Sequence, residues 1–138
     1  MEKKIEFKSI PMYPKTKDRW LVQFPDEYNI KAYYLAKITK PKYENGEWNN
    51  IRVVFRNTTP DSPEKGLVKL IATYGVSTSE KVRFTIEDFD PTGVVIGKWE
   101  IIIKEIVSID FGGELSYDDD EPQDIELIVK PLFCTPLI

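Results

Sequence analysis

The densest group of possible metal ligands in this sequence is a run of four acidic residues, Asp118, Asp119, Asp120 and Glu121. A calcium-binding loop spaces its carboxylates at alternating positions and uses a glycine to bend the chain around the ion. Here the three aspartates are contiguous, and Pro122 follows where such a loop would have to continue. The run therefore indicates a solvated loop between strands, and we predict neither a metal site nor a cofactor.

The usual general base of nucleophilic catalysis is missing. The sequence contains no histidine, which removes the common Ser-His-Asp and Cys-His systems and most catalytic zinc sites. Its single cysteine, Cys134, is interpreted as a small apolar side chain near a strand end. Pairs of carboxylates such as Glu87 and Glu100 can be nominated for acid–base work, but the sequence favours none of them. We therefore predict that the protein is not an enzyme.

Aromatic side chains interleaved with lysines form a second group, between residues 33 and 48. Such an arrangement can stack on single-stranded nucleic acid or on a sugar. Aromatic residues in strands more often belong to the core or to a subunit contact, and that is the leading interpretation here. Five residues are predicted to lie at subunit interfaces: Arg19, Trp20, Tyr33, Tyr43 and Trp48.

Charge is distributed unevenly along the chain. Residues 1–40 contain nine Lys and Arg against five Asp and Glu, whereas residues 87–126 contain thirteen Asp and Glu against two Lys. Such polarity suits head-to-tail contact between copies, because a basic surface can meet an acidic one. An acidic face that serves solubility alone is the other interpretation. The net charge of −4 also disfavours gripping of nucleic acid, which needs clustered Lys and Arg.

Length and composition predict one folded domain. The 138 residues are 41% hydrophobic, which suits a single core, and the chain is too short for two domains. We assign residues 1–138 to that domain, with an N-terminal arm over 1–18 and a C-terminal tail over 134–138. No apolar segment approaches the ~20 residues that cross a bilayer, and the charged N-terminus lacks the apolar region of a signal peptide. The protein is therefore expected to avoid membranes and to stay in the compartment where it is made.

The elements that position these residues are predicted to be mainly strands. Runs rich in β-branched and aromatic residues, separated by proline and turn signals, indicate six of them. Their predicted ranges are 20–24, 30–39, 48–56, 82–87, 94–103 and 124–133. Residues 81–103 form a hairpin around a tight turn at 90–93, whereas residues 104–120 are predicted to be irregular.

One helix is predicted between the third and fourth strands. Ser62 is suited to cap it, Pro63 to occupy its first position and Gly75 to end it. Its apolar stripe has helical spacing and consists of Leu67, Leu70, Ile71 and Tyr74. A helix with one apolar face covers a sheet. The sequence therefore predicts a mainly β fold, an antiparallel β-sandwich or barrel of about six or seven strands with one flanking α-helix.

In their order, these signals resemble the tail tube proteins of contractile-tailed phages, a family related in fold to the tube subunits of type VI secretion. The resemblance extends over about residues 18–133 and consists of pattern rather than an invariant motif. It is strongest in the hairpin, with Phe84-Thr85-Ile86, Asp90-Pro91-Thr92-Gly93 and Lys98-Trp99-Glu100-Ile101. The other segments that carry it are 18–24, 36–41, 48–57, 62–74, 106–112, 115–118 and 125–127.

The resemblance implies a structural virion protein whose copies form hexameric rings, stacked into a tube that conducts genome DNA without binding it specifically. The tail sheath and other tail proteins are then its partners, and it is located in the phage tail after synthesis in the host cytoplasm, without secretion. Asp118, Asp119, Asp120 and Glu121 become candidates for the lumen wall or for ring stacking. The tube initiator and the tail terminator share this fold and remain alternatives, as does a monomeric accessory binding module of the virion.

Overall fold

The computed structural model describes residues 13–75 and 81–138. Within these ranges the chain forms eight strands and one α-helix, with two short 3₁₀ turns between β1 and β2. The elements are β1 (Trp20–Gln23), β2 (Leu35–Ile38), β3 (Tyr43–Glu44), β4 (Glu47–Trp48), β5 (Ile51–Phe55), α1 (Glu64–Gly75), β6 (Arg83–Phe89), β7 (Val95–Asp110) and β8 (Ile125–Pro136). Most of the predicted arm, residues 1–12, lies outside the described residues, and the rest of it contains neither helix nor strand.

Six strands form one antiparallel sheet that curls into a nearly closed barrel. Neighbouring strands follow the order β1-β6-β7-β8-β5-β2, so β1 and β2 are the edges, while β3 and β4 form a separate hairpin. Strand β8 lies inside the sheet, between β7 and β5, and it includes residues 134–136 of the predicted tail. The predicted fold class is confirmed, since the fold is mainly β and antiparallel with one flanking helix.

Alternation along β6 decides which of its side chains enter the core. Phe84 and Ile86 are buried, whereas Arg83, the first residue of β6, is exposed to solvent. This alternation is expected for a strand with one face against the core. Val82, just before the strand, is buried as well. The same core continues through β5 and β8, with Ile51, Val53, Phe55, Ile125, Leu127 and Val129.

Helix α1 begins at Glu64, one residue after the predicted first position, Pro63. The Ser62 hydroxyl accepts a hydrogen bond from the backbone N–H of Glu64 at 3.2 Å, which satisfies one of the free donors at the helix start. Leu67 and Leu70 are fully buried, but Ile71 is exposed. The stripe that meets the sheet is therefore narrower than predicted. No helix in the described ranges is long and apolar enough to cross a membrane.

Two further contacts hold α1 against its neighbours. The Tyr74 hydroxyl donates to the carbonyl oxygen of Ile103 at 2.7 Å and accepts from the backbone N–H of Val82 at 2.9 Å. At the other end, a β-carbon on Gly66 would collide with the carbonyl oxygen of Tyr28. The helix thus approaches the chain segment after β1 more closely than a larger residue at this position permits.

The irregular segment predicted for residues 104–120 starts later than expected, because β7 continues to Asp110 and pairs with β8. The register of that pairing shifts at three points along β7. Each shift interrupts the two-residue alternation by which a strand is recognised in a sequence. Ile106 and Ile109 still pack against the core, so this part of β7 belongs to the barrel.

The strand predicted for residues 30–39 is also corrected. Only Leu35–Ile38 is a strand, and a 3₁₀ turn over Ala32–Tyr34 precedes it. Ile30 and Tyr34 are both buried, but the 3₁₀ turn interrupts the extended backbone between them, so they do not belong to one continuous strand.

Candidate assembly surfaces

The barrel has a seam where its two edge strands, β1 and β2, approach each other without pairing. An ion pair bridges the seam: Lys40, just after β2, places its Nζ 2.5 Å from the Oδ2 of Asp88 on β6. Asp88 is only 2% exposed and is the one buried charged residue among those the structure describes. A carboxylate removed from water requires a partner, and Lys40 supplies it while its own side chain stays partly exposed.

Beside this ion pair the seam opens into a groove of about 530 Å³, which we call the seam groove. Its apolar lining consists of Trp20, Ala36, Ile38 and Ile86. Its basic lining consists of Lys15, Lys17, Lys37 and Lys40. Among the described residues, no carboxylate lies within ion-pair distance of Lys15, Lys17 or Lys37. The groove therefore combines apolar surface with three lysines, Lys15, Lys17 and Lys37, that form no ion pair within the described part of the chain.

The segment before β1 holds two of these lysines in place. The indole N–H of Trp20 donates to the carbonyl oxygen of Lys17 at 2.9 Å. Lys15 extends over Gly97, where a β-carbon would lie 2.6 Å from the lysine Nζ and 3.2 Å from the Oδ2 of Asp88. A glycine at this position leaves room for the lysine, so a second ammonium group lies near the carboxylate that Lys40 contacts.

A long exposed loop joins β7 to β8 and spans residues 111–124, and we call it the acidic loop. It contains no basic residue and six acidic ones: Glu114, Asp118, Asp119, Asp120, Glu121 and Asp124. Two large apolar side chains also project from it, since Leu115 is 69% exposed and Tyr117 is fully exposed. The loop thus presents apolar groups flanked by negative charge.

The base of the acidic loop is held by a tight turn. The Oδ1 of Asp110 accepts hydrogen bonds from the backbone N–H groups of Gly112 at 3.1 Å and Gly113 at 2.7 Å. Both glycines have positive φ angles, of 141° and 74°, which side-chain-bearing residues rarely adopt. Phe111 packs partly against the core. The loop is therefore anchored where it leaves the barrel.

The four predicted acidic residues lie together on this exposed loop. The Oδ1 of Asp119 accepts from the backbone N–H of Glu121 at 2.9 Å, and the backbone N–H of Asp118 donates to the hydroxyl of Ser116 at 3.3 Å. These are local turn contacts. Within residues 13–75 and 81–138, no three side chains of ligand type are grouped so as to hold a metal ion.

Two of the predicted interface residues lie on the β3–β4 hairpin. The rings of Tyr43 and Trp48 meet edge to face with centroids 5.2 Å apart, and Trp48 lies 6.2 Å from Trp99 of β7. Trp48 and Trp99 are partly buried against the core, whereas Tyr43 is exposed. Most of this aromatic surface therefore attaches the hairpin to the barrel.

The other predicted interface residues lie elsewhere. Tyr33 is exposed, and its hydroxyl donates to the Oδ2 of Asp61 at 3.2 Å. Trp20 lines the seam groove, and the adjacent Arg19 donates through Nε to the carbonyl oxygen of Phe89 at 3.3 Å. The five residues thus occupy three separate places instead of one surface.

Cys134 is buried in the core. Burial raises the pKa of its thiol to about 11, because the charged thiolate is disfavoured away from water. This agrees with the interpretation of Cys134 as a small apolar side chain.

Sequence reasoning did not identify the groove lysines Lys15 and Lys17 or the exposed loop residues Leu115 and Tyr117. The basic surplus of residues 1–40 was the available signal for the lysines. The sequence signal for the apolar loop residues was weaker: two large apolar side chains beside an acidic run are unusual for a loop that is only solvated.

Comparison with known proteins gives a structural match only. No protein-family model and no curated protein sequence matches this chain. A chain of the sheath/tube terminator of the PVC extracellular contractile injection system, in the extended state, is similar with a TM-score of 0.67 and 14% identity. That match covers 92% of this chain and 99% of the other.

Two further solved structures show the same similarity. A chain of the PVC sheath–tube complex in the extended state has a TM-score of 0.67 and 14% identity, with coverage of 96% and 98%. A chain from the cap of the anti-feeding prophage, its tube-terminating cap, has a TM-score of 0.66 and 13% identity, with coverage of 92% and 93%. At these identities the matches show the fold. They extend over nearly the whole of each chain, so the complete barrel is shared rather than one hairpin.

Proposed function

We propose that this chain is a non-enzymatic structural component of a contractile tail or injection apparatus, in which its copies assemble at the tube. The observation that carries the proposal is the end-to-end similarity to chains of terminator and sheath–tube structures, over 92–96% of this chain. The separate basic groove and acidic loop support it, because a subunit of a polymer needs two different surfaces that fit each other.

Two positions in such an apparatus suit the fold. A tube subunit stacks repeatedly along the axis, whereas a terminator forms one ring that ends the stack. Two of the similar structures are terminating components and the third is a sheath–tube complex. The tube subunit is our first proposal, and the terminator is the second.

The finer features of the sequence-based prediction belong to this proposal as well: hexameric rings, a phage virion, contact with the sheath and passage of genome DNA. The net charge of −4 and the acidic loop are consistent with a conduit that repels phosphate, so that DNA passes without specific binding. The other setting that suits the chain is an extracellular contractile injection system, the kind of particle from which two of the similar structures come.

Negative-stain electron microscopy and sedimentation of the purified protein over a concentration series test the proposal. A tube subunit is expected to give rings that grow into tubes of variable length as concentration rises. A terminator is expected to give rings of one size that do not elongate. A chain that stays monomeric at every concentration, alone and with a sheath protein added, would contradict both positions.

A further inference from the structure

We infer that the acidic loop of one copy docks in the seam groove of a neighbouring copy. This contact rests on the proposed assembly function and names the two surfaces that carry it. The groove offers lysines around an apolar lining, and the loop offers acidic residues around two exposed apolar side chains. The two surfaces carry opposite charges, and both include apolar groups.

Charge complementarity is the first support. Lys40 is engaged by Asp88, but Lys15, Lys17 and Lys37 are exposed and have no ion pair among the described residues. The acidic loop brings six carboxylates without a basic residue. Opposite charges on two such surfaces speed their encounter and fix how they align.

The apolar parts of the two surfaces are the second support. Tyr117 is fully exposed and Leu115 is 69% exposed, so both side chains have most of their apolar area in water. Tyrosine is enriched at protein interfaces because a large ring gains contact area while its hydroxyl stays hydrated. Trp20 and Ile38, both only partly buried, give the groove apolar surface on which such side chains can rest.

The contact joins two copies because the loop and groove of one copy lie apart. Gly97 of β7 is paired with Asp88 at the groove, whereas the acidic loop begins after Asp110 of the same strand. The intervening residues 98–110 follow the curled strand over a path of at most roughly 40 Å, at ~3.3 Å per residue. No residue of the loop lines the groove in this structure.

Such a contact is heterologous, since it joins two different patches. Repetition of a heterologous contact closes into a ring or continues as a filament, depending on the rotation between neighbours. Both outcomes agree with a component of a tube.

Charge reversal on each side, followed by exchange of the two charges, tests the contact. One variant carries Lys17→Glu and Lys37→Glu, a second carries Asp118→Lys and Asp120→Lys, and a third combines all four changes. The four side chains are exposed. Lys40 is left unchanged because it neutralises Asp88.

A matched control reverses Lys65 and Lys104 to glutamate. Both are exposed and neither lines the groove, so the control has the same change of net charge as the groove variant. A charge-neutral variant, Leu115→Ser with Tyr117→Ser, tests the apolar part of the loop. Thermal unfolding of every variant establishes that it is folded.

The concentration at which assembly begins is measured by analytical ultracentrifugation. Each two-residue reversal is expected to raise it by about tenfold or more, because like charges then face each other. The loop serine variant is expected to act in the same direction, and the control to stay within about twofold of the unchanged protein. The four-residue exchange is expected to restore assembly. Added NaCl to about 1 M, where charges are screened beyond ~3 Å, should weaken assembly of the unchanged protein.

The outcomes separate this inference from the proposed function. Assembly that survives both reversals, or a four-residue exchange that fails to restore it, overturns the loop–groove contact and leaves the proposed function standing. An unchanged protein that remains monomeric in every condition overturns both.

Discussion

Burial takes Cys134 out of ordinary thiol chemistry. Its side chain belongs to the core, and the pKa of the thiol is raised to about 11 by that burial. In an unfolded chain a cysteine titrates near ~8.5. The difference favours the folded state below the unfolded pKa, and this contribution is lost as the pH rises through about 11.

We therefore expect slow alkylation of Cys134 by iodoacetamide in the native protein at pH 8, since the thiolate is the reactive form. The rise in pKa to about 11 alone predicts a rate about a hundredfold below that of the unfolded chain. Mass spectrometry of the modified protein, with and without denaturant, measures both rates. Equal rates would show that the thiol is accessible in the native state.

At the scale of single residues, the candidate site was partly predictable from the sequence. The exposure of Asp118 to Glu121 followed from four contiguous charges, which no core accommodates unpaired. The burial of Asp88 could not be predicted in the same way. Its position in β6 faces inward, but a charged residue occupies such a position only when a partner is available. That partner, Lys40, is 48 residues away in the sequence.

At the scale of elements, α1 depends on a close approach at Gly66. Because a β-carbon there would meet the carbonyl oxygen of Tyr28, the backbone must move to accommodate any side chain. We expect Gly66→Ala to lower the free energy of unfolding by about 1–3 kcal/mol, the usual range for overpacking.

Gly75, at the end of the same helix, is the matched control for this change. A β-carbon there has nothing within 4 Å, so Gly75→Ala is expected to be neutral or to stabilise by up to about 1 kcal/mol, as alanine favours helix. Urea denaturation of both variants measures the difference. Equal midpoints for the two variants would contradict the close approach at Gly66.

Elements with regular patterns were predictable from the sequence, and those with broken patterns were not. Strand β6 alternates without interruption, and the cap at Ser62 uses a local contact. The second half of β7 was missed because its register against β8 shifts three times along the strand. The seam groove was missed for another reason: its lysines come from the segment before β1, from β2 and from just after β2, which meet only when the sheet curls.

For the molecule as a whole, the Lys40–Asp88 ion pair joins the two sides of the seam. Lys40→Met leaves the buried carboxylate without this partner and is expected to cost about 1–3 kcal/mol of stability. Asp88→Asn removes the buried charge and leaves a lysine that can turn toward water, so its cost should be smaller.

The double variant Lys40→Met with Asp88→Asn completes the cycle. Because the two groups contact each other, its loss of stability in urea is expected to be less than the sum of the single losses. Additive losses would indicate that the pair does not contribute to closing the barrel.

The place of β8 in the sheet has a consequence for synthesis of the chain. Until β8 exists, β5 has only the four-residue β2 beside it, since Ile51 pairs with Val129, 78 residues later (129 − 51). At ~5–20 residues per second, a ribosome needs roughly 4–16 s to cover that interval. During it, the apolar strand Ile51–Phe55 emerges without its main partner and is open to wrong pairing. The middle of the sheet is therefore the last part to be made, and the nascent chain depends on protection until β8 arrives.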